Sequence, residues 1–163
     1  MDVSIELDAI DLQIITSLQE NSKLTNAEIA RRVELSPPAV HARIRRLEEQ
    51  KIINGYMALI DREALGFDML CFIQVSVNSH NPDYVKTFRQ KLANMPEVLE
   101  CYQLIGDIDY LMKVVLRNKS DLQRFLMERL TPIEGIARIK TSLALTEIKS
   151  TTVLPIELPE EDV

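Results

Sequence analysis

The sequence predicts an α+β chain in two parts: three helices and a hairpin, then a strand–helix–strand–strand–helix–strand domain. Two observations carry this. Three helix-start signals recur between Asp8 and Val40, each an N-cap residue flanked by a hydrophobic staple. From Met69 onward, short segments of alternating apolar residues are separated by stretches of helical spacing.

The helical part is read first. Asp8 caps the first helix, with Leu7 and Leu12 as the staple. Thr25 caps the second, where Glu28 completes a capping box and Leu24 meets Ile29. Ser36 caps the third. Pro37 takes its first position, where a missing N–H is no loss, and Leu35 meets Val40. The inward faces are Ile10, Ile14, Ile15 and Leu18; then Ile29, Ala30 and Val33; then Val40, Ile44 and Leu47. Ile52 to Ile60 reads as two short strands around an Asn54-Gly55 turn, a wing. Residues 1–60 thus form a winged helix-turn-helix, and residues 61–68, with Gly66, a linker.

Residues 69–153 follow the ferredoxin-like βαββαβ order. The first strand, Met69 to Val77, turns Cys71, Ile73, Val75 and Val77 inward. A helix opened by Asn81 or Pro82 buries Val85, Phe88 and Leu92 and stops before Pro96. Strands from Val98 to Ile105 and from Ile108 to Leu116 flank a two-residue Gly106-Asp107 turn. The later strand turns Ile108, Tyr110, Met112, Val114 and Leu116 to one face. A helix from Asn118 or Ser120 buries Leu122, Phe125, Leu126 and Leu130, and a last strand lies within Ala137 to Ile148. Residues 154–163 form an acidic tail.

Composition narrows the function. A 46% hydrophobic content supports a packed core. The net charge of −6 argues against a general nucleic-acid coat, yet charge is unevenly spread. Lys23 to Lys51 holds seven basic residues against four acidic ones, and Ser36 to Leu47 holds three arginines and no acid. Cys71 and Cys101 sit in apolar runs, as buried reduced thiols do. With only His41 and His80 beside them, no zinc spacing can be built, so neither metal nor cofactor is expected. No apolar run reaches the ~18 residues of a membrane span. The acidic start lacks the basic segment of a signal peptide, and the cytoplasm is the expected compartment. Catalytic motifs are absent: no nucleophile elbow, no HExxH and no glycine-rich phosphate loop. Asp107 and Asp109 alternate along a strand and do not make an acid–base pair. No enzyme is expected.

The third helix carries the chemistry. Opposite its aliphatic stripe lie Pro38, Ala42, Arg45 and Glu49, with His41 and Arg46 at the flanks. A short helix with an exposed basic face, set against another at a tight turn, suits the major groove. Ala39 and Ala42 allow close approach, while Arg45 and His41 reach base edges or phosphates. Thr25 and Asn26 open the second helix towards a phosphate. The expected DNA-binding set is Thr25, Ser36, Pro37, Pro38, His41, Ala42, Arg45, Arg46 and Lys51. Arginine on a helix surface is more often simply solvated, and Arg43, nearer the core edge, has Asp11 as a possible ion partner.

These segments resemble the leucine-responsive regulatory protein/AsnC family, the feast/famine regulators. The resemblance rests on Leu7-Asp8-Ala9-Ile10-Asp11, on Leu35 to Glu48, and on Ile52-Ile53-Asn54-Gly55-Tyr56. It continues in Gly106-Asp107-Ile108-Asp109-Tyr110-Leu111 and in Glu147 to Thr152. It implies a transcription regulator that binds double-stranded DNA, forms homodimers that assemble further, often to octamers, and answers to a free amino acid. By that resemblance Gly106 and Asp107 bring amides to the ligand carboxylate. Asp109 faces its ammonium or holds the loop, and Thr151 or Thr152 adds hydroxyls. On residues alone, Gly106-Asp107 is only a turn. Leu104, Ile105 and Ile108 nearby lean towards a leucine-like or methionine-like effector. Two positions depart from the family pattern: Glu34 and Lys51 stand where many members have glycine. A positive φ at Glu34 would strain the turn by about 1 kcal/mol. The rival readings are an architectural DNA-binding protein without an effector and a small enzyme with an incidental helical head.

Overall fold

The computed structural model describes residues 6–78 and 81–158. His80 and the end of the acidic tail lie outside the described residues. The chain divides into two units: one runs to Leu59 and takes in the segment from Lys149, the other is Ile60–Ile148.

In the helical unit α1 is Ala9–Glu20, α2 Asn26–Arg32 and α3 Pro37–Glu49. All three expected caps are present. The Asp8 carboxylate accepts from the Asp11 N–H at 2.8 Å, and Asp11 returns a bond from the Asp8 N–H at 3.3 Å. Thr25 and Glu28 do the same for α2. The Ser36 hydroxyl accepts from the Ala39 N–H at 3.4 Å, behind Pro37. Ile14, Ile29, Val40 and Leu47 are wholly buried where the three helices meet, and Ile10, Ile15 and Leu18 pack part-buried around them.

Both breaks that follow α2 and α3 use a left-handed residue. Glu34 has φ +52° and Lys51 φ +60°. After each, the chain bonds back into the helix: Leu35 N–H to Ala30 O at 3.1 Å, and Ile52 N–H to Leu47 O at 2.9 Å. This is the Schellman stop, whose left-handed position favours glycine. The strain expected at Glu34 is therefore real, and Lys51 shares it. Glu34→Gly and Lys51→Gly should each stabilise the protein by about 1 kcal/mol. Thermal unfolding should show each as a rise of about 2–4 °C; an unchanged midpoint would mean the side chain repays the strain.

The wing is corrected. Residues 54–60 form no strand. Ile52 and Ile53 are used otherwise: their N–H groups stop α3 on Leu47 O and their side chains pack on the helical core. Tyr56, Met57, Leu59 and Ile60 are exposed. Residues 149–153, read in the sequence with the sheet domain, make their contacts here with the helical unit. Gln19 of α1 exchanges two hydrogen bonds with the backbone of Leu154, at 2.7 and 3.3 Å. A partner 135 positions away leaves no local trace in the sequence.

In the second unit β1 is Met69–Val77, α4 Pro82–Ala93, β2 Val98–Gln103 and β3 Tyr110–Leu116. Then α5, Lys119–Arg124, runs into a π-helical turn, Phe125–Leu130, and β4 is Ile136–Leu143. The antiparallel sheet has the order β2-β3-β1-β4, which is the arrangement the βαββαβ pattern requires. Cys71, Ile73 and Val75 of β1 and Tyr110, Met112, Val114 and Leu116 of β3 are buried against Phe88, Leu92, Phe125 and Leu130. In α4, Tyr84 rather than Val85 joins this core. Cys101, expected inside, is exposed, because β2 is an edge strand with β3 as its single neighbour.

Candidate DNA-reading helix and ligand loop

Helix α3 has two faces of different character. Val40, Ile44 and Leu47 lock it to the other helices, while Pro37, Pro38, His41, Ala42 and Arg45 are exposed. The Arg45 side chain is 71% exposed and donates from Nε to Glu49 Oε1 at 2.8 Å. An exposed i,i+4 pair is worth well under ~1 kcal/mol, so a phosphate or base edge can take the guanidinium over. His41 Nδ1 lies 3.4 Å from Asn26 Nδ2, which ties the start of α2 to the exposed side of α3. Ser36 and Lys51 are exposed at the two ends of α3.

The other arginines are held within the unit. Arg43 donates to Asp8 at 2.7 Å and to Asp11 at 2.8 Å. Arg46, also expected at the DNA, is ion-paired to Asp11 and keeps its side chain 44% exposed. Asp11 is 1% exposed, so two guanidinium groups neutralise one buried carboxylate. Burial pushes the Asp8 carboxyl up, but the Asp11 N–H and the Arg43 guanidinium outweigh it and hold Asp8 below its ordinary value. The Thr25 N–H and hydroxyl both donate to Glu28 Oε2 at 2.7 Å, and Thr25 stands exposed at the start of α2. These hydrogen bonds also keep the Glu28 carboxyl below its ordinary range. The Asp8–Asp11 and Arg43–Arg46 spacings, three residues in each pair, place both acids and both bases on facing helix sides. That matched spacing is the signal by which the network could have been read.

The second candidate lies between β2 and β3. The expected two-residue turn is longer. Gln103 pairs with Tyr110, and the Leu104 N–H bonds to Asp109 O at 2.8 Å, leaving residues 105–108 as the loop. Gly106 has φ +145° and open space where a Cβ would stand, so glycine serves conformation rather than clearance. Asp109 is the hinge. Its N–H donates to Val75 O at 3.1 Å, and its Oδ2 accepts from the Val77 N–H at 2.8 Å. Asp107 is exposed, and Ile105 projects wholly into solvent. Thr151 and Thr152 are exposed and belong to the helical unit, whereas Gly106, Asp107 and Asp109 belong to the sheet unit. Thr151 Oγ1 accepts from the Val153 N–H at 3.1 Å. Among the described residues no group of acidic, histidine or cysteine side chains could hold a metal, and no helix is long and apolar enough to cross a membrane.

Comparison with known proteins covers both units. Residues 7–48 match the AsnC-type helix-turn-helix domain, and residues 70–154 the Lrp/AsnC ligand binding domain. The chain is 37% identical to the leucine-responsive regulatory protein of Rhizobium meliloti, over 91% of this chain and 96% of that protein. It is also 37% identical to the Bkd operon transcriptional regulator of Pseudomonas aeruginosa, over 93% and 99%. A transcriptional regulator of Neisseria meningitidis, solved as a complex with L-methionine, superposes with TM-score 0.87 at 35% identity, covering 92% of this chain and 97% of that one.

Proposed function

The chain belongs to the Lrp/AsnC family of transcription regulators, and on that premise we propose that it reads DNA through the outer face of α3 and answers to an apolar amino acid. One observation carries the DNA reading. The exposed side of α3 offers small residues at Pro38 and Ala42, and beside them Arg45 on a weak surface pair. Ser36, Pro37, His41 and Lys51 flank that contact, while Arg46 and Thr25 brace the helices. Two copies in a homodimer would read a pseudo-palindromic site, with further assembly to an octamer. Arg45→Ala should weaken binding to a cognate operator about 10- to 100-fold, with the oligomer unchanged by sedimentation. Unaltered affinity at moderate salt would remove Arg45 from the contact.

The effector reading places an amino acid at the loop of Gly106, Asp107 and Asp109, with Thr151 and Thr152 as further hydroxyls. The apolar Leu104 and Ile105 at the loop and the methionine complex of the Neisseria protein support a leucine-like or methionine-like ligand. An amino acid that prefers the native state raises its melting point. Asp109→Ala removes the carboxylate that holds the Val77 N–H, while the backbone bond to Val75 O remains, and should blunt that rise while leaving operator binding intact. A full thermal response in this variant would place the ligand elsewhere. Silence of the wild-type protein towards all twenty amino acids would favour the architectural reading.

A further inference from the structure

We propose that the sheet unit holds a second small-molecule site, away from the Gly106–Asp109 loop, built to take a compact apolar carboxylate. A cavity of about 420 Å³ lies between the sheet and the α5 segment, within the ~300–1,000 Å³ of ordinary ligand sites. Its apolar wall is made by Phe67, Val115 and Phe125. Its rim carries three arginines and three acids, and their pairing decides the chemistry. Arg124 is taken by Asp121, and Arg129 by Glu97 at 3.2 Å. Arg117 has no carboxylate partner among the described residues. It is nonetheless fixed: the guanidinium lies 4.6 Å from the Phe67 ring centroid, and Nη1 donates to Leu65 O at 3.1 Å. A cation held in place beside an apolar wall, with N–H groups left over, is a preorganised anion receptor.

The backbone gives a second, independent sign. The wall that supplies Phe125 and Glu128 is the π-helical turn, sealed by a Thr131 N–H to Leu126 O bond of 2.8 Å. Such turns are rare and concentrate at functional sites, because the inserted residue re-aims side chains at some loss of helix stability. Glu128 is exposed on the cavity rim. Being unfixed, it acts on a bound anion chiefly by repulsion.

Calorimetry on the full chain with 4-methylpentanoate, and with its uncharged amide, tests this. The carboxylate should bind saturably and the amide about tenfold more weakly. Arg117→Gln should lower carboxylate affinity about tenfold and erase the discrimination. Glu128→Gln should raise it a few-fold, an opposite change that misfolding cannot mimic. Asp109→Ala should leave it unchanged, which separates this cavity from the loop. No saturable binding up to about 10 mM, equal binding of the amide, or loss in Asp109→Ala with retention in Arg117→Gln would each overturn the proposal.

Discussion

Asp11→Ala should destabilise the helical unit by about 3 kcal/mol, read as a lower urea midpoint at unchanged slope. Asp11 is buried to 1% and meets both Arg43 and Arg46. Removing one partner of a buried pair costs about 3–5 kcal/mol when the remaining charge is stranded. Here the arginine side chains keep 26% and 44% exposure, and Arg43 keeps Asp8, so the lower end applies. Loss of the return bond to the Asp8 N–H adds to it. The network also sets a pH dependence. The folded pKa of Asp8 lies below its ordinary value of 3.8. Its contribution is therefore full at neutral pH and is lost as pH falls below 3.8 through the folded pKa. Acid titration of Asp8→Asn should lack that component. A wild-type midpoint in Asp11→Ala would mean that the two arginines find equal partners in water.

What the sequence disclosed follows the range of the interactions. Caps act over three residues, so Asp8, Thr25 and Ser36 announced every helix of the first unit. Apolar periodicity placed the strands and the faces of β1 and β3, because core burial repeats with the backbone period. The left-handed stops were legible only as departures, since Glu34 and Lys51 stand where glycine is the easier residue. Non-local pairing was not legible. Asn54-Gly55 has hairpin chemistry, but Ile52 and Ile53 are claimed by the end of α3, and a turn without free flanking strands makes no wing. The Gly106-Asp107 loop opened for the same reason: Asp109 is drawn to β1, so its pairing with β2 is limited to closing the loop on Leu104. For the proposed DNA-facing set, surface charge alone could not separate Arg45, on an exposed pair with Glu49, from Arg46, which neutralises a buried acid. Only the position of Asp11 across the helix pair divides them.

Gly135→Ala should cost about 3 kcal/mol, far more than the same change at Gly106. Gly135 has φ +84°, and a Cβ there would clash with Cε2 of Tyr84 and lie 2.9 Å from its Cδ2 and Cζ. Backbone strain accounts for about 1–2 kcal/mol and overpacking for about 1–3 kcal/mol. Tyr84 cannot easily retreat. Its ring stacks on Phe88 at 6.1 Å, Phe88 packs on Tyr110 at 4.5 Å, and its hydroxyl is buried with no partner among the described residues. Gly135 O also accepts from the Asn78 N–H at 2.8 Å, which fixes it beside the end of β1. Gly106 has a positive φ too but nothing within 4 Å, so alanine there meets only the conformational part. The two terms separate in a double variant. Tyr84→Leu combined with Gly135→Ala should recover the steric share and leave the φ strain, a coupling of about 1–2 kcal/mol by urea unfolding. The aromatic row ends at Tyr110, next to Asp109, so displacement at Gly135 reaches the proposed ligand loop through packed rings. Gly135→Ala should therefore blunt the amino-acid response at temperatures where the chain is still folded. Additive effects in the double variant would show that Tyr84 yields freely and that the cost at Gly135 is conformational alone.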